Sequence, residues 1–124
     1  ESARVMLTTP ALGRQPNRPV LTFSCIDNIT RMQIMLPAPM RSRKGTLTLI
    51  TDKGSLKARW FVRSEGYLLE ASRGLPGIDE IRQLLSFRAS KVTVNAEDPA
   101  VNGLIFDIST LSEAIKPLRI ACRW

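Results

Sequence analysis

Histidine is absent from all 124 residues, and cysteine occurs only twice. Without an imidazole, the usual Ser-His-Asp and Cys-His nucleophile systems and the common His-ligated zinc hydrolase sites cannot be assembled. Two cysteines alone leave a zinc site short of ligands, and they are not in the C-x-x-C spacing of a redox pair. No S-x-x-K occurs, nor a Rossmann or P-loop fingerprint. No apolar run approaches the roughly 18 residues of a membrane span, so the chain is not expected to cross a bilayer as a helix. Internal repeats and low-complexity tracts are missing too. These absences exclude most cofactor-dependent and nucleophilic chemistry, and no cofactor or metal is expected.

What the chain has in excess is positive charge. Eighteen Lys and Arg stand against eleven Asp and Glu, a net charge of +7, and thirteen of the eighteen are arginine. That balance favours anionic partners: nucleic acid, lipid headgroups or acidic protein surfaces. The densest cluster in sequence is Arg41, Arg43 and Lys44 in PAPMRSRKG, readable as a solvated loop or as an anionic docking site.

The apolar pattern predicts a mainly β (α+β) domain spanning residues 1–124, with about 1–18 a partly extended N-terminal segment. RPVLTFSCID sets Leu21, Phe23 and Cys25 on one face and Thr22 and Ser24 on the other. TRMQIML points Met32, Ile34 and Leu36 one way, and Asp27-Asn28 between the two runs predicts a hairpin. TLTLIT, KARWFVR, GYLLEA, KVTV and GLIFDI continue the pattern, with RVMLT a candidate edge strand. The expectation is an antiparallel β-sandwich or strongly curved sheet of six or seven strands.

Two helices are expected. One follows the Pro76-Gly77 break, with Ile78, Ile81, Leu84 and Leu85 on a stripe and Asp79-Glu80 in its first turn. The other ends the chain. Thr110 and Glu113 have capping-box spacing, and Leu111, Ala114, Ile115, Leu118 and Cys122 recur at helical intervals. Pro117 comes too late for a first turn and predicts a kink or a restart.

Cys25 and Cys122 thus both fall on apolar faces, far apart in sequence. Two buried thiols acting as small hydrophobes is one reading. A disulfide pinning the terminal helix to a core strand is the other, with a chain-entropy contribution on the order of 4–5 kcal/mol and an oxidising compartment as its corollary.

The final stretch, GLIFDISTLSEAIKPLRIACRW, resembles the C-terminal signature of the VasI/TagO family of type VI secretion-associated proteins. The likeness lies in an FDL-like strand end, a short helix, and Leu118, Arg119, Ala121, Cys122 and Trp124 together. RPVLTFSCIDNIT resembles the family's other marker, a cysteine-bearing strand followed by an Asn-x-Thr turn. The resemblance covers roughly residues 19–124, with little contribution from 37–90. Arg123 departs from the family's small residue, and Ser109-Thr110 from its Ser-Gly. The resemblance implies a non-enzymatic periplasmic accessory protein, made with a signal peptide not present in this sequence. It also implies an oxidised cysteine pair.

The candidate contact residues come from two places. In KARWFVR, Phe61 shares a face with Lys57, Arg59 and Arg63, so that face is not fully polar and is open to a partner. Around IMLPAPMRSRK, Met35, Met40, Arg41, Arg43 and Lys44 form a second candidate edge, although Pro37 and Pro39 discourage simple strand addition there. The leading expectation is protein–protein contact with other secretion-system proteins in the cell envelope. The alternative is a basic module for anionic cell-wall or lipid components. Nucleic acid is not expected, since Trp60-Phe61 is the only basic–aromatic interleaving and Trp60 reads as core. The candidates for a carboxylate enzyme would come from Asp27, Glu65, Glu70, Asp79, Glu80, Glu97, Asp98 and Asp107.

Overall fold

Alternating apolar residues bury one face of each strand, and the number of strands decides how far the sheet must curl to cover that face. A computed structural model describes residues 4–13 and 16–124. It has eight strands: β1 (Val5–Pro10), β2 (Val20–Ile26), β3 (Ile29–Met35), β4 (Gly45–Thr51), β5 (Gly54–Arg63), β6 (Leu68–Glu70), β7 (Lys91–Asn95) and β8 (Ile105–Asp107). They form one sheet in the order β1-β2-β3-β6-β5-β4-β7-β8. Every pairing is antiparallel.

The count is therefore eight rather than six or seven, because RVMLT is a full strand paired along its length to β2. The sheet is also not a sandwich. β5 is ten residues long; it pairs with β4 through Gly54–Trp60 and with β6 through Phe61–Arg63, so one strand belongs to both halves. The sheet curls until its edges nearly meet. The Leu12 N–H donates to the Ile105 carbonyl at 2.8 Å, and the Thr9 hydroxyl donates to the Asp107 carbonyl at 3.2 Å. The result is nearly a barrel, which leaves little edge for unwanted pairing.

The β2–β3 hairpin turns as its sequence predicts. Asp27 and Asn28 both take positive φ, 53° and 61°, as a two-residue turn matched to strand twist requires. The concave face holds Phe23, Met32, Ile34, Trp60, Leu69 and Phe106, all 2 % exposed or less.

Three helices close that face: α1 (Leu75–Ser86), α2 (Leu111–Ala114) and α3 (Lys116–Ala121). α1 begins before Pro76-Gly77, not after it. Proline is tolerated in a first turn, where its missing N–H would have had no partner. Gly77 is buried where the Ser72 carbonyl leaves no room for a Cβ. Asp79 and Glu80 consequently fall beyond the first turn. The C-terminal helix restarts at Pro117, which takes the first turn of α3. Ile115, Leu118 and Leu111 face the core, but Ala114 is exposed. The expected capping box does not form. Thr110 has φ −105° and ψ 6°, outside the extended region that turns a hydroxyl onto the helix amides, and Glu113 pairs with Lys116 at 2.8 Å instead.

Cys25 on β2 and Cys122 after α3 are joined in a disulfide, with Cα atoms 5.8 Å apart. Beside it, the Trp124 indole N–H donates to the Thr30 hydroxyl at 2.9 Å. The C-terminus is thus fastened to the β2–β3 hairpin twice, once by a covalent bond and once by a hydrogen bond.

Candidate partner-binding surface

The convex face of the sheet carries the side chains that point away from the helices. Cross-strand register lines up Thr8, Thr22, Gln33, Glu70 and Phe61 in one row, and Val20, Met35, Leu68 and Arg63 in the next. Met6, Met35 and Phe61 are 55 %, 52 % and 47 % exposed, so this face has apolar side chains in solvent.

Where β5 passes from β4 to β6, the approach to β4 runs alongside it. Arg43, Lys44, Arg59, Phe61 and Arg63 then line one shallow hollow of about 480 Å³. Five of the eight contact candidates, drawn from two distant stretches of sequence, meet here. Met35 lies one strand beyond, across Leu68 from Arg63. Arg41 is exposed, but its backbone amide is committed to Asp98. Met40 is 8 % exposed and packs in the core, so it offers little surface to a partner. Its amide donates to the Gly66 carbonyl, folding the 37–44 loop back onto the protein.

Arg63 is held in place. Its guanidinium lies over the Phe61 ring, 5.1 Å from the centroid, and its Nε donates to Glu70 at 3.3 Å. Glu70 also accepts from Arg73 Nε at 3.1 Å and from the Gln33 amide. The Glu70 side chain is 1 % exposed, whereas the two arginines that pair with it are about half exposed. Burial pushes its pKa up. The hydrogen bonds from Gln33 and Arg73, the Arg73 charge and the Arg63 bond outweigh that and hold it below the ordinary value. Glu70 and its donors thus position an arginine beside an exposed aromatic ring.

Asp98 does comparable work for the loop. One carboxylate oxygen accepts the Arg41 and Ser42 amides at 2.8 and 2.7 Å, and the other accepts the Ala100 amide at 2.9 Å. Burial raises its pKa, but the Ser42, Ala100 and Arg41 amides lower it further, leaving it depressed. Nothing in the sequence around it signals this grip on a loop 56 residues away. Glu80 goes the other way. Burial raises its pKa, and the Trp60 indole N–H, donating at 3.0 Å, offsets this only in part. These carboxylates are engaged in holding the fold, and among the described residues no group of three or more metal-ligating side chains comes together.

The two cysteine contexts, the strand that carries Cys25 and the helix that ends at Cys122, lie 97 residues apart in sequence and are joined in space. The family model described as type VI secretion system VasI, EvfG, VC_A0118 matches residues 1–124, the whole chain. The chain belongs to the VasI family. It is therefore a type VI secretion system-associated protein. No curated protein and no solved structure matches it. No helix among the described residues is long and apolar enough to cross a membrane.

Within this VasI-family chain, a second concentration of positive charge was not visible in the sequence. Arg82 and Arg88 come from α1 and its end, and Lys116, Arg119 and Arg123 from the C-terminal helix. They are spread over more than forty residues, and the folded chain gathers them, with Arg82 and Arg119 on the Trp124 ring and Arg88 beside them in one hollow. The cue available in sequence was that these arginines lie between apolar positions of two helices that share one core.

Proposed function

We propose that this chain is a periplasmic, non-enzymatic accessory protein of the type VI secretion system, acting by contact with other components of the apparatus. One observation carries the reading: Arg43, Lys44, Arg59 and Arg63 converge around the exposed Phe61 on the convex face. A desolvatable aromatic beside a pre-positioned arginine is the composition of a binding hot spot. Four cations at its rim favour an acidic segment on the partner and speed encounter. The disulfide supports an oxidising compartment. The lack of histidine, together with the structural engagement of Glu70, Glu80 and Asp98, favours contact over catalysis.

The test is complementation of a deletion strain with Phe61→Ala/Arg59→Glu, reading type VI-dependent export. Both side chains are exposed and neither pairs with Glu70, so the variant should accumulate normally. Loss of a hot-spot residue costs about 2 kcal/mol or more, roughly a 30-fold drop in affinity. Export should fall sharply. Full export at normal protein level refutes the assignment.

A further inference from the structure

The C-terminal end of the molecule carries a second basic surface, on the helix side of the sheet rather than its convex side. Arg82, Arg88 and Arg119 line a hollow of about 330 Å³ with Ser86 and Ser112 and no carboxylate. Arg119 also lines the adjoining hollow, with Lys116, Ile120, Arg123 and Trp124. Among the described residues, no Asp or Glu side chain lies within 4.0 Å of the guanidinium of Arg82, Arg88, Arg119 or Arg123. Like charges gathered without counter-charges repel, which costs stability unless an anion is present part of the time.

Two features say what kind of anion fits. Arg119 is held rigid: it stacks on Trp124 at 5.0 Å, its terminal nitrogen donates to the Trp124 carbonyl at 3.2 Å, and its Nε is buried with no acceptor. Arg82 stacks on the same ring at 5.4 Å. Two guanidiniums fixed on one indole, with donors to spare, suit a phosphate oxyanion. The second feature is Ile120, 78 % exposed and the most exposed large apolar side chain described. It follows Arg119 on α3 and rises out of the same surface. A soluble phosphate has no use for such a side chain. A bilayer does, since its headgroup phosphates lie just above acyl chains.

We infer that this face docks on a membrane surface rich in anionic phospholipid, with Arg82, Arg88 and Arg119 on a headgroup phosphate and Ile120 entering the interface. A membrane contact here leaves the convex face free, so the protein can hold a secretion component while seated on a bilayer. The attachment is peripheral and reversible, because one apolar side chain and a few basic residues amount to weak binding.

The experiment is flotation of the oxidised chain with vesicles of phosphatidylglycerol and phosphatidylcholine, or of phosphatidylcholine alone, at low and high salt. Binding is expected only with the anionic vesicles and should weaken at high salt. Arg88→Gln and Ile120→Ser alter exposed side chains, so both should fold normally. Arg88→Gln is expected to weaken vesicle binding about five-fold, the ~1 kcal/mol of one basic residue near an anionic surface. Ile120→Ser should weaken it about three-fold or more. Inorganic phosphate at constant ionic strength should compete poorly. Three results overturn the inference: no binding to anionic vesicles, binding unchanged by both substitutions, or full displacement by inorganic phosphate. None of them depends on the Phe61 surface.

Discussion

Reducing the Cys25–Cys122 bond should weaken this fold by an amount its topology sets. The bond closes a loop spanning 97 residues, nearly the whole chain. Loop-closure entropy for that length corresponds to about 4.7 kcal/mol at 25 °C, and measured values run lower where the denatured chain is already compact. What resists the loss is modest. The freed helix keeps Leu118 and Ile115 in the core and the Trp124–Thr30 hydrogen bond, but it gains no new contact. The expected loss is therefore about 3–4 kcal/mol. Urea unfolding of oxidised and reduced protein, with thiols counted at each point, measures it. At an m-value of roughly 2 kcal/mol/M the midpoint should fall by about 1.5–2 M. The m-value should rise on reduction, because the uncrosslinked denatured chain exposes more surface. A midpoint shift below about 0.3 M, with both thiols verified free, refutes the view that the bond acts mainly by constraining the unfolded chain.

Other outcomes follow from the carboxylates. Glu70 has a folded pKa below its unfolded value, so it stabilises above about pH 4.5 and that contribution is lost as pH falls through the folded pKa. Glu70→Ala should cost about 1–3 kcal/mol at pH 7, the half-exposed arginines keeping it below the cost of breaking a fully buried pair, and progressively less as pH falls through the folded pKa, by thermal melts. Glu80 is shifted the opposite way, so its ionisation opposes folding as pH rises from its unfolded pKa to its folded one. Glu80→Gln keeps an acceptor for Trp60 and should raise the melting temperature at pH 7 more than at pH 4. Asp98→Ala strands three backbone amides and should cost about 3 kcal/mol, with faster hydrogen exchange at Arg41 and Ser42 as its local signature.

Strand identity was legible because alternation needs only neighbouring residues. Leu21, Phe23 and Cys25, or Ala58, Trp60 and Val62, announce one buried face wherever the strand ends up. Strand order was not legible, because it depends on β5 being long enough to pair with both β4 and β6. Thr22 and Ser24 show the limit of the pattern. They look like solvent-facing positions, yet they are 1 % and 2 % exposed, each sharing its row with longer neighbours such as Gln33 or Met6 and Arg31. The capping box failed for a related reason: spacing says which residues could bond, whereas the Thr110 backbone angles decide whether they do. The contact surface was half visible. Each stretch of KARWFVR and PMRSRK carried its own charge pattern, but their meeting rests on the β4–β5 hairpin and on Asp98 holding the loop. The cluster around Arg119 was carried by no single stretch of sequence, only by the spacing of arginines between apolar positions of two helices.

The central claim, that the convex face meets the secretion apparatus, is tested most directly by placing a photo-crosslinking amino acid at Phe61 and, as a control, at Lys53 in the β4–β5 turn. Irradiation in cells carrying the type VI system, followed by mass spectrometry, should give adducts with components of that system from position 61 and none from position 53. Adducts with unrelated proteins only, or the same adducts from both positions, contradict the claim.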